Sequence, residues 1–411
     1  MANAFKSVRG MHDLLPETAC KTRVLENKLS ELAALFGYNE IRTPLVEHLG
    51  LFKRSAGEAS DIVQKEMYAF SDQNGDELAL RPEGTAACVR AGIEHSLFYG
   101  KRQRLWYLGS MFRRERPQKG RYRQFNQFGL EALGFSEPYI ELEIIQAVEQ
   151  LFSTFGLETC LELNHLGSIS SRQNFIRELL EYLSGYEHEL DEDSKQRLKT
   201  NPLRIFDSKV EHTQKILTDA PKISNFLAHD EQKEFDFVIN NLIDLGISHR
   251  IQPKLVRGLD YYTASVFEWQ HKNLTICAGG RYNNLVAQLG GKPCPAVGVA
   301  LGIERLLEAI DCIDRPERPV AILCNYGPAY VKACEITRAL RANAIAATLD
   351  FNAEKLKPLL KIANNSGCKY AILYGENEFN NATFTLKDMG TAEHIEFTTL
   401  DKLLSFLEEH D

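Results

Sequence analysis

The sequence predicts an α+β fold: an antiparallel sheet core flanked by helices, a helical insertion, and a C-terminal α/β domain. Three observations predict it. In the first half, β-type segments arrive in pairs with long amphipathic helices between them, not in strict strand–helix alternation. From Ile169 to Gly246 the chain becomes charged, poor in glycine and helical in pattern. After Pro319 strand and helix patterns alternate regularly.

The elements follow in order. Glu17 to Phe36 places Val24, Leu25, Leu29, Leu32, Ala33, Leu35 and Phe36 at helical spacing, and Gly37 ends the helix. Tyr38 to Pro44 reads as a short strand stopped by its proline. Glu77–Arg81, Leu105–Phe112 and Phe125–Leu133 read as strands by alternation and β-forming residues, with a helix over Glu141–Phe155 behind them. In the charged middle, the acidic run Glu187–Asp193 reads as a solvated face. β-type sequence returns at Ile251, with glycine turns at Gly258, Gly279-Gly280 and Gly290-Gly291. Asp311–Pro319 reads as a polar linker with two prolines. Beyond it come strands at Val320–Cys324, Ala344–Leu349, Tyr370–Tyr374 and Thr383–Leu386, and helices at Ala329–Arg341, Glu354–Asn365 and near Leu400–Leu407. The expected division is a core in two parts, 1–168 and 247–315, an insertion at 169–246, and a small domain at 319–411.

Composition narrows the function. The 411 residues carry a formal net charge of −8, with 44% hydrophobic and 25% charged residues, the profile of a soluble globular protein. No apolar run approaches the ~20 residues of a membrane helix, and the opening residues lack a signal peptide's apolar stretch. Nine scattered cysteines without a C-x-x-C pair argue against a disulfide framework and for a reducing cytoplasm. Neither they nor the 11 histidines have the spacing of a zinc site, so no protein-bound zinc is expected.

One stretch departs from the acidic balance. Lys101 to Arg123 holds nine Lys or Arg and a single acid, Glu115. Arg113 and Glu115 follow one strand, Arg121 and Phe125 approach the next, and Arg116, Gln118 and Lys119 fall in the loop between. Guanidinium forks hold phosphate oxygens, a ring stacks on a base, and a carboxylate accepts an exocyclic amine. The loop suits a nucleic-acid backbone or base edge. A merely basic, exposed hairpin with a structural Phe remains open on these residues alone. A localised anion site fits the overall acidity better than general coating of DNA. Elsewhere, Glu83, Gln127, Glu131, Asp260, Tyr261 and Tyr262 make a set of acceptors and phenols suited to an ammonium and an imidazole.

Phe112-Arg113-x-Glu115, then a loop, then Arg121-x-x-x-Phe125 resembles motif 2 of the class II aminoacyl-tRNA synthetases. Gly298 to Leu306 is similar to their motif 3, and the helix ending at Gly37 with the strand closing at Pro44 is similar to motif 1, the dimer-forming element. Leu255-Val-Arg257-Gly-Leu-Asp-Tyr261-Tyr262 and Ala278-Gly-Gly-Arg281-Tyr282 resemble the two signature segments of the histidyl-tRNA synthetase family, as do Leu80–Thr85 and Arg121–Glu131. The resemblance covers nearly the whole chain. It implies activation of histidine by ATP with Mg²⁺, transfer to the 3′ end of tRNA(His), and a homodimer.

By that resemblance Arg113 holds the α-phosphate, Arg121 and Arg305 hold the outer phosphates, Phe125 stacks adenine and Glu115 accepts its amine. Glu83, Thr85, Gln127, Glu131, Tyr261 and Tyr262 are implied to hold histidine, and Arg116, Gln118 and Arg123 to meet the tRNA acceptor end. Arg257 is implied to act with Arg113 as the catalytic pair, reaching the α-phosphate from the other side. Plainer readings stand beside these: an Arg257–Asp260 ion pair, ordinary aromatic packing for Tyr261 and Tyr262, packing alone for Gly298 and Gly302, and a structural His12. The chain departs from the family where the second signature usually continues Asp-Gly-Leu and this sequence has Asn283-Asn284-Leu285. The alternative is the non-catalytic, histidine-sensing regulatory subunit of ATP phosphoribosyltransferase, a paralogue without the anticodon-binding domain and with degraded ATP motifs. The intact Arg113, Glu115, Arg121, Phe125 and Arg305 and the α/β tail argue against it.

Overall fold

The computed structural model describes residues 5–410 except 58–59, 61, 99, 119, 311–318 and 353–354. The expected linker therefore lies almost wholly outside the described residues, as does Lys119 of the basic loop. The chain divides into two compact units, residues 1–313 and 314–411.

The first unit is built on an eight-stranded sheet. Its strands lie side by side in the order Asn39–Glu40, Gln103–Phe112, Gln124–Leu133, Ala296–Gly302, Leu274–Arg281, Ser265–His271, Cys160–His165 and His249–Ile251. Pairing is antiparallel except at the two edges, where the short outer strands run parallel to their neighbours. Successive side chains of a strand point to opposite faces, and the sequence sorts accordingly. Trp106, Phe128, Leu130, Val297 and Val299 enter one core with the Pro16–Leu35 and Tyr139–Thr154 helices. Leu105, Tyr107, Met111 and Leu133 enter the other, which also receives Phe175, Leu179 and Ile205 from the helical region and Tyr261, Tyr262 and Tyr282. That second face carries the candidate site. Between the strands Cys160–His165 and His249–Ile251 the regular elements are all helical, the longest being Ile169–Ser184 and His229–Asp244.

Several boundaries differ from the expectation, each for a tertiary reason. The strand expected over Tyr38–Pro44 is only Asn39–Glu40. Beyond it, Thr43 turns aside to accept the Arg81 guanidinium at its carbonyl (3.0 Å) and hydroxyl (2.9 Å), so the chain leaves the sheet before Pro44 is reached. A three-stranded sheet of Val46–His48, Glu77–Leu80 and Tyr68–Ser71 contains two strands not anticipated. They are short, with exposed Val46 and Phe70, and lack a clear alternation.

The second unit is a five-stranded sheet ordered Ala347–Phe351, Val320–Cys324, Tyr370–Tyr374, Phe384–Asp388, His394–Phe397. The first three strands are parallel and the last two antiparallel, with helices Tyr330–Ala342, Leu356–Asn365 and Leu400–His410. The strand expected from Ala344 starts at Ala347, because Ala344 takes a left-handed φ of 60° directly after the helix. The edge strand His394–Phe397 has three exposed positions and no apolar alternation to betray it.

Candidate active site

The hairpin of Gln103–Phe112 and Gln124–Leu133 runs in continuous register from Gln103 opposite Leu133 to Phe112 opposite Gln124. Alternation sends Leu130 and Ala132 into the helix-covered core, so Glu131 between them faces the other side. There it is 1% exposed. One carboxylate oxygen accepts the Thr85 hydroxyl at 2.7 Å and the other accepts the Tyr282 hydroxyl. Burial pushes its pKa up to about 8, against the pull of those two donors. The neighbouring strand makes room. Gly298 pairs with Glu131 in the ladder, and a Cβ there would lie 1.8 Å from Oε2 of Glu131. Gly298 is therefore a steric requirement of the buried carboxylate.

Glu83, 3% exposed, ends the loop that enters the Thr85–Glu94 helix. Its oxygens accept the backbone N–H groups of Thr85 (2.6 Å) and Ala86 (2.9 Å), an anion at a helix N-terminus. Burial still raises its pKa. Gln127 accepts from the Gly84 N–H at 3.1 Å and the Tyr107 hydroxyl at 3.3 Å. Tyr261 lies against both Tyr262 and Tyr282, with ring centroids 4.7 and 5.6 Å away.

A cleft of about 170 Å³ is lined by Glu83, Thr85, Gln127, Tyr261, Tyr262 and Tyr282 together with Arg113, Glu115, Arg121, Phe125, Arg257 and Arg305. Glu131 lies behind this wall, bonded to two residues that form it. Arg113 donates from Nε to the Pro82 carbonyl at 2.8 Å, and its guanidinium lies 5.3 Å from the Phe125 ring centroid. Arg121 donates to Glu115 at 3.3 Å. Arg305 is pinned by two carbonyls, Nε to Gly120 and Nη1 to Thr275, both at 2.7 Å. Its pKa is lowered, first by burial and then by Arg121. Beside it, Glu304 accepts the Asn126 backbone N–H at 2.8 Å and its amide at 3.0 Å, fixing the start of the Ile303–Ala309 helix to the hairpin.

Arg257 is not paired with Asp260. Its Nη1 donates to Glu268 on a core strand at 2.9 Å, its guanidinium lies 6.0 Å from the Tyr262 ring centroid, and its buried Nε has no hydrogen-bond partner among the described residues. Asp260, grouped by sequence with the other acceptors, is absent from the cleft lining and accepts instead from Asn201 at 3.0 Å. Arg116 and Gln118 are exposed on the hairpin loop and, like Arg123, lie outside the lining. Arg123 donates from Nε to the Glu115 carbonyl at 3.3 Å. His12 packs edge-on against Tyr122 at 4.9 Å.

Sequence reasoning passed over Tyr107, Glu268 and Tyr282 as parts of the site. Tyr282 was signalled by its place at the end of the Ala278–Tyr282 segment. Its neighbour Arg281 turns the other way and is buried in a bidentate ion pair with Glu141, 2.6 Å at each oxygen, so half of that segment is structural. Asn283, at the departure from the family pattern, accepts the Ala296 backbone N–H through Oδ1 at 3.2 Å.

With the site in view, comparison decides the family. A family model described as "Histidyl-tRNA synthetase" matches residues 10–306. The chain belongs to the histidyl-tRNA synthetase family. A second model, "Anticodon binding domain", matches residues 320–410. The histidine–tRNA ligase of Neisseria meningitidis serogroup B is 44% identical over 427 residues, covering 100% of this chain and 99% of the relative. That of Legionella pneumophila strain Paris is 44% identical over 423 residues with the same coverage. Among solved structures, the ligand-free histidyl-tRNA synthetase of S. aureus superposes with a TM-score of 0.81 at 36% identity, covering 98% of this chain and 99% of that one. A Bacillus halodurans protein described as an ATP phosphoribosyltransferase regulatory subunit/histidyl-tRNA synthetase shares the fold, with a TM-score of 0.68 at 23% identity over 91% of this chain and 99% of that one. The expected α+β fold with an antiparallel core sheet and an anticodon-binding domain is the one found, and the chain is an enzyme of the histidine–tRNA ligase kind. Among the described residues, no group of three or more His, Cys, Asp or Glu is placed to hold a metal ion, and no helix is long and apolar enough to cross a membrane.

Proposed function

We propose that the enzyme activates L-histidine with MgATP to histidyl-adenylate and pyrophosphate, then transfers the histidyl group to the 3′ end of tRNA(His). The observation that carries this reading is one cleft in which a buried acceptor cluster adjoins an arginine cluster. An ammonium and an imidazole need the first; a triphosphate needs the second. Glu83, Thr85 and Gln127 are assigned to the ammonium side of histidine, and Glu131, Tyr261 and Tyr262 to its ring. The histidine carboxylate attacks the α-phosphorus and pyrophosphate departs. Arg113 and Arg257 flank the α-phosphate, where charge develops, and fixed donors act most strongly there. Phe125 stacks on adenine, Glu115 accepts its amine, and Arg121 and Arg305 hold the outer phosphates with the Mg²⁺ that ATP brings. Arg116, Gln118 and Arg123 meet the acceptor end, while residues 319–411 read the anticodon.

The working form is a cytoplasmic homodimer in this reading, with residues 169–246 an insertion into the core. The regulatory-subunit alternative is disfavoured by the full-length match to histidine–tRNA ligases and by the intact arginine set.

ATP–pyrophosphate exchange across the amino acids tests the reading. Exchange is expected with histidine alone. No histidine-dependent exchange by a folded protein that still binds histidine would favour the regulatory reading. Gln118→Ala should slow aminoacyl transfer while leaving exchange intact, because the strands that hold ATP are untouched.

A further inference from the structure

The loop between strands His249–Ile251 and Ser265–His271 carries Arg257, Tyr261 and Tyr262 and has no helix or strand of its own. Arg257, Leu259 and Tyr262 line the cleft described above, and the same three residues line a second cavity of about 200 Å³. The loop is thus a partition with space on both sides. Leu255, Tyr261 and Tyr262 anchor its ends in the core, but close packing fixes a side chain only where neighbours fill its surroundings, so hydrogen bonds help to set the stretch between them.

Some of those bonds come from the sheet, where Asn164 of the strand Cys160–His165 donates from Nδ2 to the carbonyls of Pro253 (3.2 Å) and Leu255 (2.9 Å); others come from the helical region. Arg172 donates from Nη2 to the Tyr262 carbonyl at 2.8 Å. Arg204 donates from Nη1 to the Gly258 carbonyl at 3.2 Å and is braced at Nε by Asp207 at 2.6 Å. Asn201, at the junction of the Glu192–Thr200 helix and the Pro202–Asp207 turn, donates from Nδ2 to Asp260 at 3.0 Å. Gly57 approaches the other carboxylate oxygen of Asp260 closely, and an added Cβ there would come within 2.5 Å of Oδ2. Asp260 lies at the exposed surface between Asn201 and Gly57, three residues from Arg257, and has no face on the cleft.

We propose that Asn201 and Arg204 are positioning residues for adenylate formation: acting through Asp260 and the Gly258 carbonyl, they latch the loop so that the Arg257 guanidinium stands at the reacting phosphate. The inference rests on the assignment of Arg257 made above. It gives Asp260 a task distinct from histidine binding and gives the helical region a part in the first chemical step. Arg257 is held at its tip by Glu268 of the core sheet, and the backbone around it is held on one side by Asn164 at Leu255 and on the other by the latch. Loosening the latch displaces a fixed donor, and a misplacement of about 1 Å can cost on the order of 10²-fold in rate.

The test is single-turnover histidyl-adenylate formation by the full-length enzyme over titrations of histidine and ATP. The variants are Asn201→Ala, Arg204→Gln, Arg257→Ala and the double Asn201→Ala/Arg257→Ala. Asn201→Ala is expected to slow formation at saturation by about tenfold while both KM values stay near those of the parent. The double variant should be no slower than Arg257→Ala alone, because the two residues act as one unit. A swap provides rescue: Asn201→Asp should be slow, and adding Asp260→Asn, which restores one donor and one acceptor, should recover the rate. If Arg257→Ala is slow but Asn201→Ala is not, or if their effects multiply, the latch is overturned and the role of Arg257 stands. If Arg257→Ala is itself unimpaired, both fall together.

Discussion

The two halves of the cleft are built on different principles. In the carboxylate half, Glu131, Thr85, Tyr282, Glu83, Gln127 and Tyr107 bond to one another or to the backbone of the same cluster, and Glu131 is 1% exposed. In the arginine half Arg113 and Arg305 are held by backbone carbonyls at Pro82, Gly120 and Thr275, Arg121 and Arg257 each bond one carboxylate, and the Arg121 side chain is 41% exposed. A closed network is intolerant, since each member's partners lose a bond when it changes. An open row of cations fails gradually and carries little of the fold's stability. Recognition of the amino acid and stability of the fold are tied together in the first half and separate in the second.

The hardest blow to the closed half is Gly298→Ala. Its Cβ would stand 1.8 Å from Oε2 of Glu131, which Thr85 and Tyr282 keep from retreating, and 3.0 Å from the Leu130 carbonyl. Histidine-dependent exchange is expected to fall by about 10²-fold or more, with a loss of about 1–3 kcal/mol in stability by denaturant unfolding. A near-normal variant would show that Glu131 is not confined.

In the open half, Arg113→Lys should lower adenylate formation by about 10²–10³, because a point charge cannot reproduce the planar fork that bonds Pro82 and faces Phe125. Stability should move by no more than about 0.5 kcal/mol. If unfolding shifted as much as for Gly298→Ala, the contrast between the halves would collapse.

Glu131→Gln removes the buried titrating group. With its folded pKa raised to about 8, the native state keeps a proton that the unfolded chain releases above the ordinary carboxylate range. The native state thus binds more protons, and stability falls as pH rises until about 8, where the slope ends. The linkage amounts to about 1.4 kcal/mol for each unit of pKa difference. Denaturant unfolding at intervals from pH 5 to 8.5 should show the variant losing less stability with pH than the parent. Parallel profiles would mean that Glu131 is ionised throughout. The variant's histidine KM should rise as well.

The smallest effect is expected from Asn283→Asp, which restores the family's usual residue. Oδ1 of Asn283 accepts from Ala296 and Arg281, and a carboxylate can accept both. Exchange should change by less than about twofold. A larger change would extend the intolerant half into this turn.

By itself, the sequence determined the fold class and the hairpin that carries Arg113, Arg121, Phe125, Gln127 and Glu131. Periodicity records which face of a strand or helix is buried, and residue types record what chemistry is affordable, so both can be read locally. The strands Val320–Cys324 and Tyr370–Tyr374 were legible for the same reason: every position in them is buried and apolar. What only the tertiary structure decided was which of several equally plausible groups meet. Arg257 took Glu268, eleven residues away, over Asp260 nearby. Asp260 turned from the cleft toward Asn201, which lies on a distant helical turn. Tyr38–Pro44 stopped short because Arg81, far along the chain, claimed Thr43. Gly298 became indispensable through a partner on the adjacent strand. Hydrogen bonds and ion pairs are short in space and indifferent to separation along the chain, so their partners are settled only when the sheet closes and brings the strands into register.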